Sequence, residues 1–141
     1  MSEVLIVIGL IAVATIFGSM VFFSCVVAPL VFIKLDSPTA GNFIRNIFPW
    51  YYLLIGGFSL IAAVVFPFNQ PFEGLMMAAV FFGAFISRQV LMPRLNMHRD
   101  EGLQGSSEAK KKFTLLHRCS VLINAVQILV CLIVLICLSI T

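Results

Sequence analysis

The sequence predicts an all-α integral membrane protein, a four-helix transmembrane bundle forming one domain over residues 1–141. Three observations predict this class. Of the 141 residues, 61% are hydrophobic and 11% are charged, whereas a water-soluble domain carries about 25% charged residues. Apolar runs with the length of a bilayer crossing occur four times. All nine lysines and arginines fall in two of the connections between these runs.

The distribution of charge predicts the orientation of the bundle. Four crossings place both termini and the connection 66–73 on one side of the membrane, and that side carries no lysine or arginine. The connections 34–45 and 88–118 lie on the other side. By the positive-inside rule the basic side is cytoplasmic, and both termini are on the non-cytoplasmic side. The net charge of +3 thus reflects topology and attraction to anionic lipid, and we expect no nucleic-acid partner.

The first transmembrane helix is expected over residues 4–33. Its 30 residues would span about 45 Å against a hydrocarbon core of roughly 30 Å, so the helix must tilt, kink or protrude. Pro29 removes a backbone hydrogen bond and predicts a kink near the cytoplasmic end. Gly18 lies on a face of small residues, which favours close approach of another helix.

Residues 37–48 predict a short interfacial helix that lies in the plane of the lipid head groups. Ser37 is the expected N-cap. Arg45 falls on the polar side of this helix and is expected to contact head groups. Pro49 is expected to end the helix, and Trp50 then anchors the start of the second transmembrane helix at the membrane surface.

The second and third transmembrane helices are expected over residues 49–68 and 73–93. Gly56 and Ser59 share one face of the second helix, and Gly83 lies on the third. Small residues at such positions let helix backbones pack closely. These three residues are therefore predicted to mediate helix packing.

The connection 94–112 is predicted to be the main water-exposed segment. Ser107 is the expected cap of a helix that runs directly into the fourth transmembrane helix, 113–141. The connection ends in three consecutive basic residues that are expected to contact anionic head groups: Lys110, Lys111 and Lys112.

A polar face on the fourth helix indicates where a site would lie. Polar side chains follow one another at spacings of three and four along an otherwise apolar segment: His117, Ser120, Asn124, Gln127 and Cys131. At 100° per residue they fall within an arc of roughly 80°. Polar side chains within a membrane are costly unless they face protein or a water-filled cavity. This face is therefore predicted to look into the bundle.

The heights of other polar residues along their helices place them in the same leaflet. The hypothesis is a polar pocket open to the cytoplasm and lined by Tyr52, Arg88, His117, Ser120 and Asn124. In this pocket Arg88 would bind an anionic or carbonyl group and His117 would titrate near neutral pH. The alternative is that Arg88 snorkels to the surface and His117 is merely an interfacial residue. Ser120, Asn124 and Gln127 would then only join helices, through hydrogen bonds of about 0.6–2 kcal/mol each.

No catalytic, metal or cofactor site is predicted. His98, Met92 and Met97 lie near the third helix's cytoplasmic end and, with His117, would offer soft ligands to Cu(I), but methionine is also a common membrane filler. The four cysteines have neither zinc nor disulfide spacing. Hydrolase constellations and phosphate-binding glycine loops are not apparent in the sequence.

Several motifs together resemble the transmembrane protein 205 family, over nearly the whole chain. They are Gly18–Phe32, Leu35–Gly41, Phe48–Tyr52, Arg88–Asn96, and His117 with Ser120 and Asn124. The resemblance implies a four-helix membrane protein of bacteria or of eukaryotic endomembranes, without an established catalytic activity. Where many members carry histidine or tryptophan early in helix 1, this chain has Gly9–Phe17, which argues against a haem or metal role that needs a second histidine there.

These observations favour a small non-enzymatic membrane protein. We expect an accessory or structural subunit that associates with other membrane proteins or with copies of itself through its small-residue faces. The alternative is a transporter or a small-ligand or metal-binding protein that uses the pocket around His117, Asn124 and Arg88. The expected location is a bacterial inner membrane or a eukaryotic organelle membrane.

Overall fold

The computed structural model describes residues 2–140, with side chains from residue 3 onward. Four helices are long and apolar enough to cross a membrane: α1 (Glu3–Lys34), α2 (Ser37–Phe68), α3 (Pro71–Leu103) and α4 (Ser107–Ile140). The predicted all-α class and the four membrane helices are confirmed. The sidedness of the termini stays a prediction, and Met1 and Thr141 lie outside the described residues.

Two of the helices contain a π-helical turn, in which a backbone N–H bonds the carbonyl five residues earlier. Pro29 comes two residues after the first such turn and Pro93 two residues after the second. Proline has no N–H to donate, so part of the distortion expected at Pro29 is taken up by a widened turn. The segments are Ser2–Phe22, Phe23–Val27 (π) and Ala28–Lys34 in α1, and Pro71–Ile86, Ser87–Leu91 (π) and Met92–Leu103 in α3.

Helix α2 runs through Pro49 without a break. Its α-helical part is Ser37–Val65, and a 3₁₀ turn, Phe66–Phe68, completes it. The prediction of a separate helix over 37–48 that ends at Pro49 is therefore wrong, because these residues form the first turns of α2. Proline removes one backbone hydrogen bond, while buried aromatic side chains on the next turn hold the helix against its neighbours.

The N-cap of α2 is Asp36 and not Ser37 as predicted. A carboxylate oxygen of Asp36 accepts a hydrogen bond from the backbone N–H of Thr39 at 3.2 Å. Hydrogen bonds from Thr39 lower the pKa of the Asp36 carboxyl. Because this pKa is lowered in the folded state, the ionised carboxylate stabilises α2 at pH values above its ordinary pKa. That stabilisation is lost as the pH falls through the lowered pKa.

The segment predicted as the connection 94–112 is mostly helical. Helix α3 continues to Leu103, and α4 already begins at Ser107, so only three residues separate them. Gly105 has a φ of +103° in this tight turn. The hydroxyl that caps α4 is that of Ser106, which accepts from the N–H of Ala109 at 3.2 Å.

The core of the bundle lies between the four helices, in their middle and in the half nearer the termini, and it reaches the inner end of the basic half. It consists of fully buried side chains from every helix, including Ile16, Met20, Ile55, Met77 and Val134. Helix α2 packs most extensively against α3 and α1, and α4 closes the bundle against α1 and α3. This packing leaves the basic ends of the helices to form a cavity.

The predicted packing residues of the second and third helices lie at contacts between helices. The side chain of Ser59 is fully buried, and a Cβ at Gly56 would lie 4.0 Å from that of Ala84. At Gly83 a Cβ would lie 2.9 Å from Nε2 of Gln127, which is buried and donates to the Val80 carbonyl at 3.0 Å. These contacts join α2 to α3 and α3 to α4.

Gly18 departs from its prediction as a packing residue. It is exposed, and a Cβ built there meets no described atom within 4 Å. The close approach in α1 occurs instead at Gly9, where a Cβ would lie 2.6 Å from Cζ and 2.9 Å from Cδ1 of the buried Phe66 ring. Helix α1 therefore packs closely at its N-terminal half.

Candidate functional site

A cavity of about 650 Å³ lies at the basic end of the bundle. Side chains from all four helices line it, and its volume is typical of sites for small ligands. Most of its wall is apolar or aromatic. The principal apolar and aromatic lining residues are Phe23, Ala28, Phe32, Ile44, Phe48, Tyr51, Tyr52, Met92, Leu95, Leu103, Phe113 and Val121.

Four of the five predicted pocket residues line this cavity: Tyr52, His117, Ser120 and Asn124. Arg88 does not line it. Its Nε donates to the backbone carbonyl of Pro49 at 3.3 Å, which holds the side chain against α2. The predicted role of these residues in binding stays a prediction.

A hydrogen-bonded network closes the inner end of the cavity. The Tyr51 hydroxyl donates to Oδ1 of Asn124 at 2.5 Å, and Nδ2 of Asn124 lies 3.0 Å from Oγ of Ser24. The network joins α2, α4 and α1. The ring of Tyr51 also packs on that of Phe23, with centroids 4.7 Å apart. We call Ser24, Tyr51 and Asn124 the floor of the cavity.

Two arginines lie at the opposite end, which we call the mouth and define by Gly41, Arg45 and Arg99. The half-buried Arg99 packs its guanidinium on the backbone of Gly41, where a Cβ would overlap it. Nη1 of Arg45 donates to both carboxylate oxygens of Asp100, at 2.9 and 3.0 Å, and so joins α2 to α3.

Sequence reasoning missed Arg99 and gave Arg45 a different role. Arg45 was predicted to contact head groups, yet it pairs with Asp100 and lines the cavity. The signal for Arg99 was its place in the second basic connection, but the helical extension of α3 that carries it into the cavity was not predicted. Trp50 and the three lysines 110–112 are exposed, and their contact with lipid stays a prediction.

His117 and Ser120 lie on the wall between mouth and floor. The imidazole of His117 stacks on the ring of Phe113, with centroids 6.0 Å apart and planes 7° from parallel. Oγ of Ser120 donates to the His117 carbonyl on its own helix at 2.8 Å. His117 is exposed, so its ring is available to water or to a ligand in the cavity.

The charge of the lining is positive. Arg45 and Arg99 line the cavity, and no carboxylate does so among the described residues. A guanidinium is always protonated and presents N–H donors that match an oxyanion. The cavity is therefore suited to a ligand with an apolar body and an anionic group.

A shared metal site finds no support in the placement of side chains. Within residues 2–140, no three or more His, Cys, Asp or Glu residues are grouped closely enough to hold a metal ion. Met92 lines the cavity with His117, while Nδ1 of His98 lies 3.2 Å from a carboxylate oxygen of Glu101. The residues considered as soft ligands for copper therefore lie in two different places, the cavity and the contact with Glu101.

Comparison with known proteins places the chain in a family. Residues 11–104 match the family described as Domain of unknown function (DUF4149). The match spans most of α1, all of α2 and α3, and hence the whole mouth of the cavity, whereas α4 lies beyond it. Comparison with curated proteins and with solved structures finds no match. This multi-pass helical membrane protein, with its cavity at the basic end, belongs to the DUF4149 family of unknown function.

Proposed function

We propose that the protein is a non-enzymatic binding protein, which takes a small amphipathic molecule from the surrounding membrane into the cavity between mouth and floor. The single observation that carries this proposal is the cavity itself. Its aromatic and aliphatic walls match an apolar ligand, and its polar groups, which include the arginines at one end, would fix the ligand's orientation.

The cavity reaches the outer surface of the bundle, which supports uptake from the membrane. Phe32 on α1 and Val121 on α4 line the cavity, yet their side chains are 60% and 55% exposed. In a membrane these side chains contact lipid. An acyl chain could therefore enter the cavity from the bilayer beside these two side chains.

Photolabelling tests this proposal. We expect a lipid with a diazirine in its acyl chain, supplied once with a neutral and once with an anionic head group, to label Met92 and Leu95. These residues line the cavity but are only 7% exposed, so bulk lipid does not reach them. Ser120→Phe should abolish most of this labelling, because a phenyl ring would occupy the cavity.

Ser139→Phe is the matched control. Ser139 lies on the same helix, is exposed, and makes the same local hydrogen bond from Oγ to the carbonyl three residues earlier, at 2.8 Å. This variant should label like the wild type once size-exclusion chromatography has shown both variants to be folded. Equal labelling of Met92 in the two variants, or labelling confined to exposed residues in all proteins, would contradict a binding cavity.

We also propose that the basic end faces the cytoplasm, with residues 37–48 at head-group depth. The distribution of lysine and arginine supports this orientation. In a cysteine-free background, we expect Gln104→Cys to react with a membrane-impermeant maleimide in inverted vesicles only. Asn69→Cys, in the turn after α2, should react in right-side-out vesicles only, and the reverse pattern would overturn the orientation.

An accessory role is the second proposal, and the exposed glycines favour it. Gly18 on α1 and Gly57 on α2 are exposed, and a Cβ at either meets no described atom within 4 Å. Such positions accept a helix of another subunit or of a second copy. If the protein forms a homo-oligomer, the assembly would also have enough helices to enclose a transport pathway. Native mass spectrometry after gentle extraction distinguishes these cases from a lipid-binding monomer.

The finer family relationship is part of the proposal. The motifs Phe48–Tyr52 and Arg88–Asn96 support a place for this chain near transmembrane protein 205. Both motifs contribute residues to the cavity wall. A bacterial inner membrane or a eukaryotic organelle membrane is the proposed location.

A further inference from the structure

We propose that the ligand of the cavity is an anionic acyl lipid, whose head-group oxyanion, a phosphate or a carboxylate, binds at the mouth to Arg99 and Arg45 while its hydrocarbon part extends toward the floor. This inference rests on the proposed binding function and specifies its ligand class. It is carried by the arrangement of charge in the cavity.

Arg99 is the first element of the argument. Its guanidinium lines the cavity over the backbone of Gly41, and it makes no hydrogen bond or ion pair with any residue of the described chain, 2–140. A partly buried cation beside apolar walls has lost part of its hydration, and a paired anion compensates for that loss. An oxyanion in the mouth would supply the missing partner, and the planar fork of arginine suits two of its oxygens.

Arg45 provides further donors at the same end. Only its Nη1 bonds Asp100, so Nε and Nη2 remain for a ligand. Asp100 itself is not among the residues that line the cavity. The surrounding polar lining is uncharged and able to hydrogen-bond a head group: Ser37, Asn42 and Asn96.

The floor determines which end of the ligand faces which end of the cavity. The polar side chains of Tyr51, Asn124 and Ser24 are uncharged and already bond one another. The floor therefore offers no cation to an anionic head group. From Gly41 to Tyr51 the ten residues of α2 rise about 15 Å. That path is lined by Ile44 and Phe48, which favours a hydrocarbon chain with its head group at the mouth.

The cavity volume limits the size of the ligand. A cavity of about 650 Å³ is of the size that holds a drug-sized ligand, which corresponds to a head group with part of one acyl chain. A single-chain lipid fits this description directly, and a two-chain lipid would leave its second chain in the bilayer beside Phe32 and Val121. Oleoyl lysophosphatidic acid, oleoyl lysophosphatidylcholine and oleic acid are therefore suitable probes.

Native mass spectrometry of the full-length delipidated protein, titrated with each probe, tests the inference. Wild-type protein should bind lysophosphatidic acid or oleic acid at least about tenfold more tightly than lysophosphatidylcholine, because the choline cation of the latter cancels the charge of its phosphate and would lie beside two arginines. Comparison of the two anionic lipids identifies the oxyanion. Arg99→Gln should remove most of this preference, and Arg99→Lys, which keeps the charge but not the fork, should retain part of it.

Arg94→Gln is the matched control, because Arg94 lies on α3, is exposed and does not line the cavity. It should bind like the wild type. If the wild type binds all three lipids equally and Ser120→Phe abolishes that binding, the anionic assignment is overturned but the proposed binding function of the cavity is retained. Lipid binding that Ser120→Phe does not change would overturn both. Binding of inorganic phosphate at Arg99, without any preference among the lipids, would overturn the lipid assignment.

Discussion

Gly9→Ala should lower the free energy of unfolding by about 2 kcal/mol, within the range for overpacking a well-filled core. The new methyl group would overlap the ring of Phe66, which is 1% exposed and held in the 3₁₀ turn at the end of α2. Neither α1 nor this turn can move without disturbing the core. The apparent melting temperature in detergent, followed by size-exclusion chromatography of heated samples, should therefore fall by several degrees.

Gly18→Ala is the control on the same helix. Because a Cβ there meets open space, this variant should be neutral or more stable by up to about 1 kcal/mol, the helix-propensity gain of alanine over glycine. Combining Gly9→Ala with Phe66→Leu should cost less than the sum of the single changes, since the two residues share one space. Similar melting temperatures for Gly9→Ala and Gly18→Ala would show that the close contact with Phe66 is absent.

Asn124→Leu should destabilise the protein by about 1–2 kcal/mol. Leucine has a similar size but makes no hydrogen bond, so the variant leaves the hydroxyl groups of Tyr51 and Ser24 without their partner. Three helices lose their polar connection at the floor. The loss is measurable as a shift in the midpoint of unfolding by sodium dodecyl sulfate.

A double-mutant cycle separates this network from simple packing. With Tyr51→Phe, the coupling energy to Asn124→Leu should be about 0.6–1.7 kcal/mol, the range for hydrogen bonds between membrane helices. Asn46→Ala is the control, since Asn46 is exposed on α2 and should change stability by no more than about 0.5 kcal/mol. Additive effects of Tyr51→Phe and Asn124→Leu would refute the hydrogen bond.

The number of helices was predictable because crossing a bilayer imposes both length and apolarity, which are properties of the sequence alone. The polar face of α4 was predictable for a related reason. Asn124 and Gln127 are polar within an apolar segment, so they were expected to face other helices, and both do so. Their partners lie on other helices, and nothing in the spacing along α4 specifies them.

Arg99 was missed because the third helix was predicted to end at residue 93, which placed Arg99 in a water-exposed connection. Helix α3 instead continues to Leu103 and carries Arg99 to the cavity. The π-helical turn, Ser87–Leu91, also adds one residue, and one added residue rotates everything after it by about 100° relative to an uninterrupted α-helix. A longer helix counted as α-helical throughout would therefore still have given Arg99 the wrong face.

The position of each residue around and along its helix explains the other differences. Tyr51 and Tyr52 are adjacent and both buried, yet only the hydroxyl of Tyr51 reaches Asn124. Gly9 and Gly18 are both small residues on α1, and which of them packs closely depends on where the turn containing Phe66 lies. Composition identifies residues that permit close contact, whereas the tertiary arrangement decides which of them make it.

The length of the helices gives the bilayer a role in setting the position of the mouth. Each helix has 32 to 34 residues, or about 50 Å, against a hydrocarbon core of roughly 30 Å. This excess length is accommodated by tilt or by protrusion of the polar helix ends from the membrane. A thicker bilayer would draw Arg99 toward the acyl chains and a thinner one would leave it among water and head groups, so membrane thickness itself would tune the cavity's access to lipid.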